Sequence, residues 1–317
     1  MLKVLYLIVL ISGAVMGAGF VSGSELWLFF GRYSTFAIPL LFIFALIFYT
    51  GILKVMNLKN KYNINTLDDL CMLVMPVAHK YISIIIKLSY FIFASAMLSG
   101  IRLIGGEYMV LCVILITFFI VILNKQTLLK LNLFLVPVVV IFLTCLFFNC
   151  EQSIGLSGNA DFNLLFGGIG VLCYAGVNLL LVYGAIVRSY NTLSKKATII
   201  VAFVSTCILI LLAIIVLLII GSNDYALFAM PIGAVAFDNG AVFSIVGECI
   251  IVSSIFTTFL SCVFGVNSGK RSALETIISL TIIYLFSFVG FIHILELAYL
   301  TVGIFSIVFY LAVIRKV

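Results

Sequence analysis

Residues 12–25 read SGAVMGAGFVSGSE. They lie inside the first long apolar run of the chain. Gly13, Gly17, Gly19 and Gly23 fall within eleven positions, and Glu25 follows directly. Glycine weakens a helix, and a carboxylate near hydrocarbon is costly. The stretch therefore predicts a membrane segment that unwinds near residues 16–19. In lipid, unwound backbone groups need partners. Freed carbonyls of the inner half-helix suit a cation. Freed amides at the start of the outer half-helix suit an anion such as a carboxylate. A second reading is helix packing, because Gly13-x-x-x-Gly17 and Gly19-x-x-x-Gly23 both fit the small-xxx-small pattern.

Composition sets the solvent. The 317 residues are 65% hydrophobic and only 9% charged, with a mean hydropathy of +1.39. A soluble domain cannot hide that much apolar surface. The runs are long enough for membrane helices rather than for the alternating strands of a barrel. The net charge of +6 is not a nucleic-acid signal, because the basic residues sit between apolar runs. The eight cysteines form no CxxC pair and read as small core residues.

Ten spans are expected, near residues 4–30 (broken), 36–56, 81–100, 108–124, 131–149, 163–187 (broken), 197–220, 242–266, 273–290 and 292–314. With the N-terminus inside, fourteen Lys and Arg residues fall on cytoplasmic ends and loops, from Lys3 to Lys316. Arg32 and Arg102 alone fall outside, and Lys87 lies within snorkelling reach of the inner face. The outer loops carry Glu107, Glu151, Asp161, Asp224 and Asp238. This asymmetry obeys the positive-inside rule and places both termini in the cytoplasm of a multi-pass plasma-membrane protein.

The halves, about 1–150 and 160–317, each hold five spans within a single transmembrane domain. Five is odd, so the halves run in opposite senses as an inverted repeat. Each begins on a Gly-interrupted span, VMGAGFVSG in the first and FGGIGVLCYAGVN (166–178) in the sixth. Such a matched pair points to a transporter's binding site. In span six the polar candidates are Tyr174, Asn178 and Tyr183. Asn178 could meet a ligand or hydrogen-bond a neighbouring helix. In span eight, VSSIFTTFLSC sets Ser254, Thr257 and Thr258 on one helix face. Three hydroxyls beside free carbonyls make a nearly neutral oxygen cage for a monovalent cation. Back-bonding to their own helix is the alternative.

These motifs resemble the YkvI-like membrane proteins. GAGFVSGSE is similar to their span-one signature, and Met97-Leu98-Ser99-Gly100 to their span-three segment. Tyr174-Ala175-Gly176-Val177-Asn178-Leu179 is similar to span six, Met230-Pro231 to an outer loop, and SIFTTFLSCVFGV (254–266) to span eight. The sequence departs from them at Ala175-Gly176 and Ser261-Cys262. That family belongs with the amino acid–polyamine–organocation superfamily, whose architecture is the LeuT fold of two inverted five-helix repeats. The resemblance implies an all-α fold with helices one and six broken. It implies Gly13 and Met16 carbonyls and Thr257 and Thr258 hydroxyls at a sodium-like site; Ser254 joins them only by its place on the same helix face. It implies that the Ala18 and Gly19 amides, next to Phe20, face the substrate.

Glu25 could bind a substrate amine, carry a proton or face the outer vestibule. His293 and Glu296, three apart in span ten, could form an outer gate or a titratable set with Glu25, or simply a stabilising contact. Some members of the superfamily that the chain resembles replace sodium by a lysine in mid-span five; here span five, 131–149, has no internal charge, which by that resemblance favours an ion over a lysine-borne proton. The function expected is secondary transport of a small organic solute, an amino acid or related amine, coupled to Na+ or H+. The alternative is a nutrient-sensing subunit of the spore-germinant-receptor type. No Ser/His dyad, HExxH or paired aspartates point to an enzyme. No organic cofactor, nucleic acid or obligatory protein partner is expected.

Overall fold

Large apolar side chains line the outside of the helices as well as the inside. Ile38, Phe42 and Leu46 recur every four residues and are all exposed, as are Ile199 and Phe203. Such stripes on a water-soluble protein would drive aggregation; against lipid tails they are the expected surface. The computed structural model describes residues 2–123, 127–150, 164–189, 193–221, 224–266 and 273–316. Glu151 and Asp161, assigned above to an outer loop, lie outside these residues, as do Lys125, Lys270 and Arg271.

The described chain is all helical. In order it forms α1 (Leu2–Val15), α2 (Ala18–Ser22), α3 (Ser24–Phe29), α4 (Ala37–Tyr62), α5 (Leu67–Val74) and α6 (His79–Leu123). Then follow α7 (Thr127–Asn149), α8 (Leu164–Ser189), α9 (Lys195–Ile220), α10 (Pro231–Asp238), α11 (Ala241–Val266), α12 (Ala273–Phe286) and α13 (Phe291–Arg315). Among the described residues, seven helices are long and apolar enough to cross a membrane. This is a multi-pass membrane protein.

Local chemistry explains several boundaries. At α5, Thr66 Oγ1 accepts from the Asp69 amide at 3.1 Å and Asp69 Oδ2 accepts from the Thr66 amide at 2.9 Å. This reciprocal cap starts a short amphipathic helix, and Pro76 follows its end. Ser194 caps α9 through the Ala197 amide. The expected spans three and four are the two arms of α6, which meet at a kink. Its course departs from helical geometry at Gly106 (φ 66°, ψ −167°), a conformation that glycine adopts without a Cβ penalty.

Helices α1, α8 and α11 make the centre. Helix α1 packs on α7, α8, α9 and α11, and α8 also packs on α4 and α13. Two sets of hydrogen bonds tie helix ends together. Lys59 is buried and donates through Nζ to the Ile64 carbonyl at 2.9 Å and to the Val187 carbonyl at the end of α8. Arg188 donates to the Phe264 carbonyl of α11 at 2.8 Å. Elsewhere Arg102 pairs with Glu107 at 2.8 Å and donates to Ser287, while Tyr284 donates to Glu107 at 2.7 Å.

Cys71 lies in α5, packed completely out of solvent contact. Burial first, and Asp68 second, push its thiol up to about 12. A thiol without thiolate is a poor nucleophile. Maleimide treatment of the native protein at neutral pH therefore leaves Cys71 unmodified, as read by mass spectrometry. Labelling as fast as at an exposed cysteine would contradict its burial.

Candidate functional site

The break in the first span is present, and its hydrogen bonding shows how it forms. The Met16 amide still donates to Ser12 at 2.9 Å, in helical register. The Gly17 amide instead turns to the Val15 carbonyl at 2.7 Å. Gly13 thereby loses the donor that would continue the helix. Gly17 is extended (φ −84°, ψ −166°), and α2 starts one residue later. A second corner follows at Gly23, which is left-handed (φ 84°) and leads into α3. The segment is thus three short pieces rather than two half-helices.

The second corner turns Glu25 back. A Cβ placed on Gly19 would lie 2.1 Å from the Glu25 Cδ, so the carboxyl rests directly on the Gly19 backbone. Glu25 is 6% exposed. The hydroxyls of Tyr299 and Tyr174 face its carboxyl, although the Tyr174 hydroxyl makes no hydrogen bond of good geometry. Aromatic rings pack on both tyrosines. Phe29 lies 4.8 Å from Tyr299 and 5.1 Å from Tyr174, centroid to centroid. Phe30 and Phe44 pack on Tyr174 at 5.5 and 5.3 Å. The result is one buried carboxyl faced by two tyrosines of a packed aromatic cluster, side chains of a chemistry suited to an organic cation.

The other expected residues divide. Phe20 is buried in the core and Met16 is 2% exposed. Of Ala18 only the backbone is described. Asn178 is buried but donates Nδ2 to the Tyr174 carbonyl of its own helix at 2.9 Å. Tyr183 packs away from this group, against Phe309. The groups that act on Glu25 are Tyr299 and Tyr174. His293 and Glu296 are exposed and not among them, so the expected titratable set with Glu25 is not formed. The physical reason is that a three-residue spacing fixes neighbours on one helix, not the direction that their shared face takes.

The expected break in span six is also corrected. Helix α8 runs uninterrupted over Leu164–Ser189. Its glycine at 176 serves close packing: a Cβ there would meet Ser306 Cβ at 3.0 Å and the Ile307 nitrogen at 3.1 Å. Small residues let two backbones approach in lipid without interrupting either helix.

On the other side of the break, Thr258 lies against Gly17, where a Cβ would meet Oγ1 at 2.9 Å. The Ser254 and Thr258 hydroxyls are buried without a hydrogen-bond partner. Thr257 instead donates back to the Ser254 carbonyl at 3.1 Å. The hydroxyl face of α11 therefore does meet the break, with two of its three hydroxyls uncommitted. No protein-family model matches the chain, and no curated protein does either. The site rests on its own chemistry.

Two participants escape the sequence reading. Tyr299 lies in the middle of span ten, where an interfacial tyrosine would not, and that depth was its one signal. Asn132 sits near the start of α7, and its side chain lies against Gly13. A search of span five for charge passes over a neutral amide.

Proposed function

We propose that this protein is a secondary transporter of a small organic solute, an amino acid or related amine, coupled to Na+ or H+ by alternating access. The observation that carries the proposal is Glu25, buried and folded onto the broken first span beside Tyr174 and Tyr299. A buried acid within a membrane domain is costly unless it has work to do. Here it supplies a counter-charge, and the surrounding ring faces add roughly 0.5–2 kcal/mol for a bound ammonium group. The solute's amine end is thereby assigned to Glu25. A nearly neutral oxygen face across the break suits the coupling ion.

The architecture we propose is ten spans in two inverted five-helix repeats, with the charge-rich ends cytoplasmic. The segments that support it are α1–α3 together, α4, the two arms of α6, α7, α8, α9, α11, α12 and α13. Of the two spans expected to be interrupted only the first is, and it forms three pieces rather than two half-helices. The Lys59 and Arg188 ties then close the cytoplasmic side, so that access alternates by breaking them.

The test is uptake into proteoliposomes under imposed sodium or proton gradients, with a panel of amino acids and carboxylate-free amines. Gradient-driven accumulation of a member of this panel is expected. Failure of every solute under both gradients would overturn the reading. Thr258→Val keeps the volume and removes one uncommitted oxygen. Its expected effect is a loss of sodium dependence, with about tenfold weaker activation for about 1.4 kcal/mol lost. An unchanged sodium profile would remove the α11 hydroxyls from the mechanism.

A further inference from the structure

We propose that Asn132 of α7 is a ligand of the monovalent-cation site at the break in the first span, closing the side that α1 and α11 leave open. The inference rests on the cation reading above and deepens it by assigning a residue from a third helix.

The first observation is an amide with nothing to bond. Asn132 is 1% exposed, and both its Nδ2 and its Oδ1 lack hydrogen-bond partners. Burying such a group unpaired costs about 1–3 kcal/mol for each unmet atom. A packing role alone is served better by leucine, which carries no such cost. The second observation is where the amide lies. A Cβ on Gly13 would meet Asn132 Cγ at 2.8 Å, Nδ2 at 3.0 Å and Oδ1 at 3.1 Å. The amide is therefore held flat against the residue whose carbonyl loses its helical donor at the break.

The third observation is the company it keeps. One turn further along α1, Gly17 meets Thr258, whose hydroxyl is also buried and unpartnered, as is that of Ser254. Helices α1, α7 and α11 pack on one another in all three pairings. Uncommitted oxygens on three mutually packed helices thus surround one interrupted turn: the Gly13 carbonyl, Ser254 Oγ, Thr258 Oγ1 and Asn132 Oδ1.

All four oxygens are neutral. Divalent cations are held by carboxylates, and no metal-holding group of His, Cys, Asp and Glu occurs among the described residues. A neutral set of carbonyl, hydroxyl and amide oxygens suits a singly charged ion, with sodium the probe of choice. A ligand from α7 also makes ion binding hold α7, α1 and α11 together. That gives the ion a means of biasing the helix arrangement around the break.

The test uses the full chain in detergent, with radioactive sodium binding and sodium-induced thermal stabilisation measured in a choline background. The wild type binds sodium. Asn132→Leu raises the sodium Kd by about tenfold or more. Asn132→Asp retains binding and makes it pH-dependent, tightening as the pH rises and the new carboxyl ionises. It also keeps the proposal testable should the leucine variant fail to fold. Wild-type sodium affinity in Asn132→Leu, with binding weakened in Thr258→Val, would overturn the Asn132 assignment alone. Absence of sodium, lithium or potassium binding in the wild type would overturn the cation reading and this inference together, leaving only buried water at the break.

Discussion

On the proposed transport function, Glu25→Gln is expected to abolish gradient-driven uptake while the protein still folds. The substitution keeps the shape of the side chain and removes the charge. Removing one partner of a buried, desolvated pair costs about 3–5 kcal/mol. That corresponds to a loss of about 100-fold or more in apparent affinity for a cationic solute. A companion variant separates charge from position. In Gly19→Ala the new methyl overlaps the Glu25 carboxyl, whose Cγ and Cδ would both lie 2.1 Å away. The clash reaches Cγ as well as the carboxyl of a buried side chain, so the carboxyl is displaced from its seat. Uptake is lost with Glu25 intact, and the melting temperature falls. Wild-type uptake by Glu25→Gln from acidic to alkaline pH would remove Glu25 from substrate and proton roles alike.

The largest effect on stability is expected at Gly23. Its φ of 84° is left-handed, and a Cβ there would lie 2.2 Å from Ile220 Cδ1 and 3.1 Å from Val216 Cγ1. Ile220 is fully buried and has nowhere to go. A left-handed alanine costs about 1–2 kcal/mol, and overpacking a filled core about 1–3 kcal/mol more. Gly23→Ala is therefore destabilised by about 2–5 kcal/mol, visible as a lowered melting temperature in detergent. Gly168→Ala is the control. A Cβ at 168 meets nothing within 4 Å, inside a continuous helix where alanine is preferred. Equal melting of Gly23→Ala and the wild type would show that the second corner is not held as described.

The two glycine-rich spans look alike as sequence and behave differently as structure. In the first, glycines at 17 and 23 accompany real changes of backbone direction. In the sixth, the glycines stay helical and Gly176 admits α13. Glycine permits both outcomes at similar local cost, so the neighbouring helix decides between them. The hydroxyl face of α11 was legible because period and chemistry coincide over Ser254, Thr257 and Thr258. Tyr299 and Asn132 were not, because each acquires meaning only from a residue far away in sequence.

Composition and periodicity by themselves determined that this chain is a helical membrane protein, and the spacing of its glycines pointed to a break in the first span. Those are local consequences of hydrophobicity and glycine, and they need no distant partner. The tertiary structure alone decided that Glu25 turns inward onto Gly19, that His293 and Glu296 stay apart from it, and that Asn132 faces the break. Side-chain direction across packed helices depends on crossing geometry and on corners such as Gly23. A linear pattern carries neither.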